Sequence, residues 1–196
     1  MAEPERSVRG AAHTQAQRER ILEAAQACFV QHGFHAASMS KIAETAGMSP
    51  GLIYRYFDGK SAIILAIIER QLERARADIA ALETGADLVP VFEQLFHAWK
   101  HGENGVLCPA LLLEMTAEAT RDPAIARALG DADRVTSPDV VHWLERSRSR
   151  RGEGDGDDLE ARAFLIRCLL GGLAIRAIRE PDLDPAVLRR ALRLVL

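Results

Sequence analysis

Residues 38–60 read SMSKIAETAGMSPGLIYRYFDGK, and the punctuation of this stretch decides the fold. Ser38 stands where a helix cap belongs, ahead of a segment through Thr45 that carries Ile42 and Ala43 as its apolar positions and stops at Gly47. A serine caps because its oxygen accepts a first-turn amide that has no partner within the helix. Ser49 caps again, and Pro50 takes the first helical position, where a missing N–H costs nothing. The second segment continues through Gly51, Leu52, Ile53, Tyr54, Arg55, Tyr56 and Phe57 until Asp58 and Gly59 break it. Two helices parted by Ala46–Gly47–Met48–Ser49, with glycine in the turn, have the spacing of a helix-turn-helix.

An eight-residue helix is ~12 Å long, comparable with the width of a B-DNA major groove. In that reading the N-terminal end of the second helix reaches base edges. The preceding helix crosses the backbone and offers its amides, with Ser38 and Ser40, to phosphate. Tyr54 and Tyr56 flank Arg55, whose planar fork suits guanine, and Lys60 is a further phosphate candidate. The same spacing also fits a structural three-helix corner with solvated polar residues.

Upstream, Thr14 followed by Gln17 has the form of a capping box. Ile21, Ala25, Cys28 and Phe29 recur at helical spacing, and Gly33 supplies a C-terminal stop, which predicts a first helix over about 15–32. Residues 1–13 lack periodicity and are expected to form a disordered tail. Downstream, Ile64, Ile68, Leu72, Ala75, Ile79 and Leu82 trace one long helix from Asp58 toward Leu82. Glycines and prolines, including the Gly102–Gly105 loop and the acidic stretch Gly152–Asp158, divide the remainder. They leave helices over about 88–101, 107–120, 123–149 with a break or kink near Pro138, 158–180 and 185–195.

Composition agrees with an all-α chain. Among 196 residues, alanine and leucine number 32 and 23 against 10 valines and 6 threonines, so helix formers dominate strand formers. Hydrophobic residues at 48% beside charged ones at 27% exclude global disorder. Apolar runs are far shorter than the ~20 residues a membrane helix needs, and the N-terminus has no secretory signal, so the expected compartment is the cytoplasm. The net charge of −3 divides as +1 over residues 1–61 (7 Lys and Arg against 6 Asp and Glu) and −4 over the rest (18 against 22). That asymmetry alone does not announce nucleic-acid binding, whose usual footprint is a strongly basic domain. Cys28, Cys108 and Cys168 fit neither a disulfide framework nor a metal pair and read as small buried hydrophobes, with Cys108 the one placed in a loop. Glu93, His97 and His101 share a helix face but lack a further ligand, so neither metal nor cofactor is implied. The chain carries no GxSxG, P-loop or dinucleotide fingerprint, which leaves an enzyme unsupported.

Ser38, Ile42, Ala43, Gly47, Ser49, Gly51, Ile53, Tyr54, Tyr56, Phe57 and Lys60 match, in order, the pattern of the N-terminal domain of TetR-family transcriptional regulators, which residues 14–68 resemble. The resemblance implies a DNA-binding domain at 14–61 and a helical ligand-binding and dimerisation domain at 62–196. It implies phosphate contacts from Ser38, Tyr54, Tyr56 and Lys60 and base-facing positions at Ser40, Pro50, Gly51, Leu52 and Arg55, with Lys41 and Ser49 completing the DNA-binding set. Pro50 stands where many members place a charged or polar residue.

Within the second domain, Phe92, Phe96, Trp99, Glu114, Met115, Trp143 and Phe164 are candidates for a ligand pocket, since the resemblance implies that one exists there. The segment 163–178 is apolar around most of its circumference, which predicts burial on every side. With the final helix it provides a candidate dimer interface at Leu169, Gly172, Leu173, Leu188 and Leu192. The implied protein is a regulator, most simply a repressor, that binds a palindromic operator in double-stranded DNA as a homodimer and is released by a small-molecule effector, with no membrane involved. A helical adaptor or an enzyme without DNA affinity is the alternative.

Overall fold

The chain is described by a computed structural model that covers residues 3–103, 107–151 and 158–196. Residues 152–157 of the expected Gly152–Asp158 punctuation, and Asn104 and Gly105 of the expected loop, lie outside these. Among the described residues the elements are α1 (Glu3–Ala36), α2 (Met39–Ala46), α3 (Pro50–Ile53), α4 (Lys60–Ala81), α5 (Leu88–His101), α6 (Pro109–Ala119), α7 (Pro123–Arg151), α8 (Leu159–Arg179) and α9 (Pro185–Val195), with no strand. None of these helices is long and apolar enough to cross a membrane.

The chain forms two compact units, one of Met1–Ile68 with Glu114–Ala126 and one of Glu69–Leu113 with Arg127–Leu196. The boundary expected after residue 61 therefore falls inside α4, and a second segment at 114–126 joins the N-terminal unit. That unit is built on Ile21, Ala25, Cys28 and Phe29 of α1, Ile42 and Ala43 of α2, Ile53 of α3, and Ile63, Ile64 and Ile67 of α4, all with at most 2% of their surface exposed. Burying each of the isoleucine and phenylalanine side chains contributes ~1.5–3 kcal/mol. The core of the other unit gathers Phe92 and Phe96 of α5, Trp143 and Leu144 of α7, Ala163, Ile166 and Leu173 of α8, and Leu188 and Leu192 of α9. Asp87, Asp158 and Asp184 cap α5, α8 and α9 with their carboxylates.

Three expectations need correction. The backbone is helical from Glu3, so residues 3–13 extend α1 instead of forming a tail. Thr14 is consequently inside a helix, where its hydroxyl donates to the Gly10 carbonyl at 2.9 Å and no capping box forms. Pro138 lies within an uninterrupted α7. Within one subunit α8 leaves Phe164, Leu165, Ile175 and Ile178 exposed, as is Cys168, so the rest of its cover does not come from its own chain.

Candidate nucleic-acid interface

The capping geometry expected of residues 38–53 is present. Ser38 Oγ accepts from the Lys41 N–H at 3.1 Å and Ser49 Oγ accepts from the Leu52 N–H at 3.3 Å, while Pro50 opens α3. Each such cap stabilises its helix by about 1 kcal/mol. Gly47 ends α2 in the left-handed conformation, and the Met48 N–H returns to the Ala43 carbonyl at 2.9 Å. The two helices are anchored from beneath by Ile42, Ala43, Ala46, Ile53 and Phe57, all buried. Their outer faces present Ser38, Ser40, Lys41, Ser49, Pro50, Gly51, Tyr54 and Arg55 as exposed residues, with Leu52 and Tyr56 partly buried. Tyr54 is 54% exposed, a large aromatic surface left in solvent.

The second helix is shorter than its sequence suggests. Regular α3 ends at Ile53, after which the Arg55 and Tyr56 N–H groups bond to Leu52 and Ile53 carbonyls three residues back. Tyr54–Tyr56 is therefore a tightened turn. Arg18 of α1 holds it: Nη1 donates to the Tyr56 carbonyl at 3.1 Å, and the guanidinium lies 4.4 Å from the Phe57 ring centre. Sequence reasoning missed Arg18, for which the only signal was its place one turn before the buried Leu22. The thiol of Cys28 lies 3.2 Å from Thr45 Oγ1, which itself donates to the Lys41 carbonyl, so the buried cysteine helps seat α2 on α1.

Lys60 is bonded within the subunit. Its ammonium donates to the Phe34 carbonyl at 2.8 Å and the His35 carbonyl at 3.1 Å and sits 4.7 Å from the Phe34 ring centre. It thus ties the start of α4 to the end of α1, where backbone acceptors are left open at a helix C-terminus. On the other side of the same residues, α1 is broken at Gly33, whose φ of 75° and ψ of 160° form a combination essentially restricted to glycine. The Phe34 N–H there donates to Glu114 Oε2 at 2.9 Å, and His35 Nε2 lies 3.3 Å from Glu118 Oε2, a carboxylate on a residue only 7% exposed.

A family model described as "Bacterial regulatory proteins, tetR family" matches residues 21–67, the stretch that carries α2 and α3. The HTH-type transcriptional regulator UidR of Escherichia coli K12 is 35% identical over 136 residues, which are 69% of this chain and 68% of that one. The HTH-type transcriptional repressor AcnR of Corynebacterium diphtheriae is 30% identical across 91% of this chain and 88% of its own. Among solved structures, Salmonella enterica GusR superimposes with a TM-score of 0.74 at 30% identity, covering 92% of this chain and 95% of that one.

The chain belongs to the tetR family. It is a helix-turn-helix transcriptional regulator and not an enzyme, as members of this family bind operator DNA as dimers and respond to small molecules.

For a tetR-family regulator, the second unit should supply the effector site and the dimer contact, and the candidate residues divide unevenly. Phe92, Phe96 and Trp143 converge in one core cluster with Trp99 packed against them, and the Trp143 indole donates to the Glu83 carbonyl at 3.1 Å. The Trp99 indole N–H, although buried, finds no acceptor among the described residues. Glu114 and Met115 belong to the other unit, where Glu114 is occupied by Phe34, and Phe164 is 56% exposed. These three do not join the aromatic cluster, because periodicity places a residue on a helix face without saying which neighbour that face meets.

The dimer candidates divide as well. Leu173, Leu188 and Leu192 point into the subunit core with Leu169 packed alongside, whereas Gly172 is on the surface. The outward faces carry Phe164, Leu165, Ile175 and Ile178 of α8 with Val187, Leu194 and Val195 of α9. Glu93, one of the three residues on the histidine face of α5, is taken by a two-pronged pair with Arg189 at 2.7 and 3.1 Å. That carboxylate holds the Arg189 guanidinium more firmly protonated than usual, through its hydrogen bond first and its charge second.

Proposed function

We propose that this regulator is a cytoplasmic repressor that docks α2 and α3 on a palindromic operator, with Arg55 and the N-terminal residues of α3 facing bases and Ser38, Ser40 and Tyr54 facing phosphates. The observation that carries this reading is the division of α2–α3 into a buried inner face and a polar outer face of hydroxyls, Arg55 and Lys41, the last paired with Glu44 at 3.1 Å. Groups of that kind exchange hydration for phosphate and base-edge contacts without stranding apolar surface. A repressor is favoured by the name of the Corynebacterium relative, a transcriptional repressor to which 91% of this chain aligns. The compartment follows from the partner, since a regulator must share it with chromosomal DNA.

Two copies are required for a palindrome, and the exposed apolar rows on α8 and α9 support a second copy as their cover. The effector is read as a mainly apolar small molecule bearing one hydrogen-bond acceptor. The support is an aromatic interior around α5 and α7 together with the unpartnered Trp99 donor, because a buried polar group left without a partner costs about 1–3 kcal/mol that an acceptor on the ligand would recover.

Selection from a random duplex library tests the DNA reading. The enriched sequences should be inverted repeats whose half-sites are separated by about one or more helical turns of ~34–36 Å. Enrichment of single, asymmetric sites bound by one subunit would refute it.

A further inference from the structure

We infer that Arg20 of α1 is a further DNA-contacting residue, one that donates from its guanidinium to a backbone phosphate beside the N-terminal end of α3. Arg20 is exposed, while the next residue, Ile21, is fully buried in the core of the N-terminal unit. The Arg20 guanidinium reaches across to the turn between α2 and α3 and lies over Gly47, where Nη2 would be 2.6 Å from a Cβ placed on that residue. Position 47 therefore holds glycine for two reasons. Its φ of 61° is in the left-handed region, and the space beside its Cα belongs to an arginine from another helix.

Electrostatics account for this placement but leave the N–H groups of the guanidinium unused. α2 ends at Ala46, and the partial negative charge of its last carbonyls attracts a cation. Among the described residues no hydrogen bond or ion pair engages the Arg20 side chain, so its fork of donors is open to a ligand. By contrast Lys41, the cation of α2, is paired with Glu44 at 3.1 Å, and Arg18, two residues before Arg20, is bonded to the Tyr56 carbonyl. Ser49 and Pro50 follow Gly47 by two and three residues, and both are exposed at the end of α3 that faces bases in the reading above. A guanidinium on the flank of that end meets the strand bordering the groove, whose phosphates accept two parallel N–H bonds from such a fork. The motif that carries the other DNA-binding candidates begins at Ser38, so a contributor from α1 lies outside it.

The inference rests on the DNA-binding reading above, and salt dependence separates the two. Each phosphate contact contributes ~0.9 to the slope of log affinity against log salt, and a dimer carries two copies of Arg20. The probes are a duplex enriched by the wild-type protein from a random library and an unrelated duplex of equal length. Arg20→Met should lower the slope by ~0.9 per subunit on both duplexes. It should also bind the enriched duplex about tenfold or more weakly at low salt, as loss of a charged hydrogen bond implies. Arg20→Lys keeps the charge and should retain the wild-type slope, with affinity reduced severalfold because the planar fork is lost. Lys100→Met removes one positive charge from an exposed position near the end of α5 and should leave the slope unchanged.

A wild-type slope in Arg20→Met would confine Arg20 to a structural role at the end of α2 and overturn the inference. An equal lowering in Lys100→Met would make the slope a measure of net charge and overturn it as well. If Arg20→Met fails to unfold cooperatively, Arg20→Gln, which keeps a polar side chain without the charge, decides by the same slope. A wild-type protein that enriches no duplex refutes the DNA-binding reading itself, and this inference with it.

Discussion

Replacing Gly172 with alanine should raise the stability of one subunit and weaken its pairing with another. Gly172 lies within α8, is exposed, and a Cβ built there meets no atom within 4 Å. Inside a single subunit the substitution therefore has only a helix-propensity effect, and alanine is favoured over glycine by ~0.8–1.0 kcal/mol. Leu165, Cys168 and Ile175, at helical spacings from Gly172, share its face and are exposed. If a second α8 packs on this face, the glycine marks a place where backbones approach closely, and each subunit contributes one intruding methyl. Overpacking of this kind costs ~1–3 kcal/mol, which raises the dimer dissociation constant roughly 5- to 150-fold. Sedimentation equilibrium over a dilution series measures pairing, and urea unfolding at concentrations where subunits are separate measures the propensity gain. An unchanged dissociation constant beside a stabilised subunit would refute the placement of Gly172 at the contact.

Arg55→Ala should cost ~1–3 kcal/mol on the enriched duplex and relax discrimination at one base position; uniform weakening across all duplexes, detected by competition binding, would reassign Arg55 to the backbone. Gly33→Ala forces an L-residue into a glycine-only conformation at ~1–3 kcal/mol, with no steric clash because the nearest Glu114 atom would be 3.6 Å away, so an unaltered thermal midpoint would contradict the break in α1. Trp99→Phe should weaken effectors that carry an acceptor at least fivefold while leaving purely apolar analogues unaffected, given a net hydrogen bond of ~1 kcal/mol; equal losses for both would remove the indole from the site. Operator DNA and effector should weaken each other by one common factor, because coupling between two sites is reciprocal, and titrations that give unequal factors would break the proposed release mechanism.

Local chemistry is what the sequence by itself determined. The caps at Ser38 and Ser49, Pro50 at the head of α3 and the stop at Gly47 all follow from interactions within a few residues of one another. Each was legible because its physical cause is contained in its own segment. Periodicity likewise established which segments are helices, and for α5 and α9 it did so to the residue. It failed where the partner is distant. Lys60 lies 26 residues from the carbonyl it caps and Glu114 80 residues from the amide it accepts, so a cationic motif position and an acidic residue on an apolar helix took their meaning from packing alone. Leu173, Leu188 and Leu192 carried the same ambiguity: an apolar stripe requires cover, and only the tertiary structure decided that the subunit supplies that cover itself, leaving Phe164, Leu165 and Leu194 to face outward.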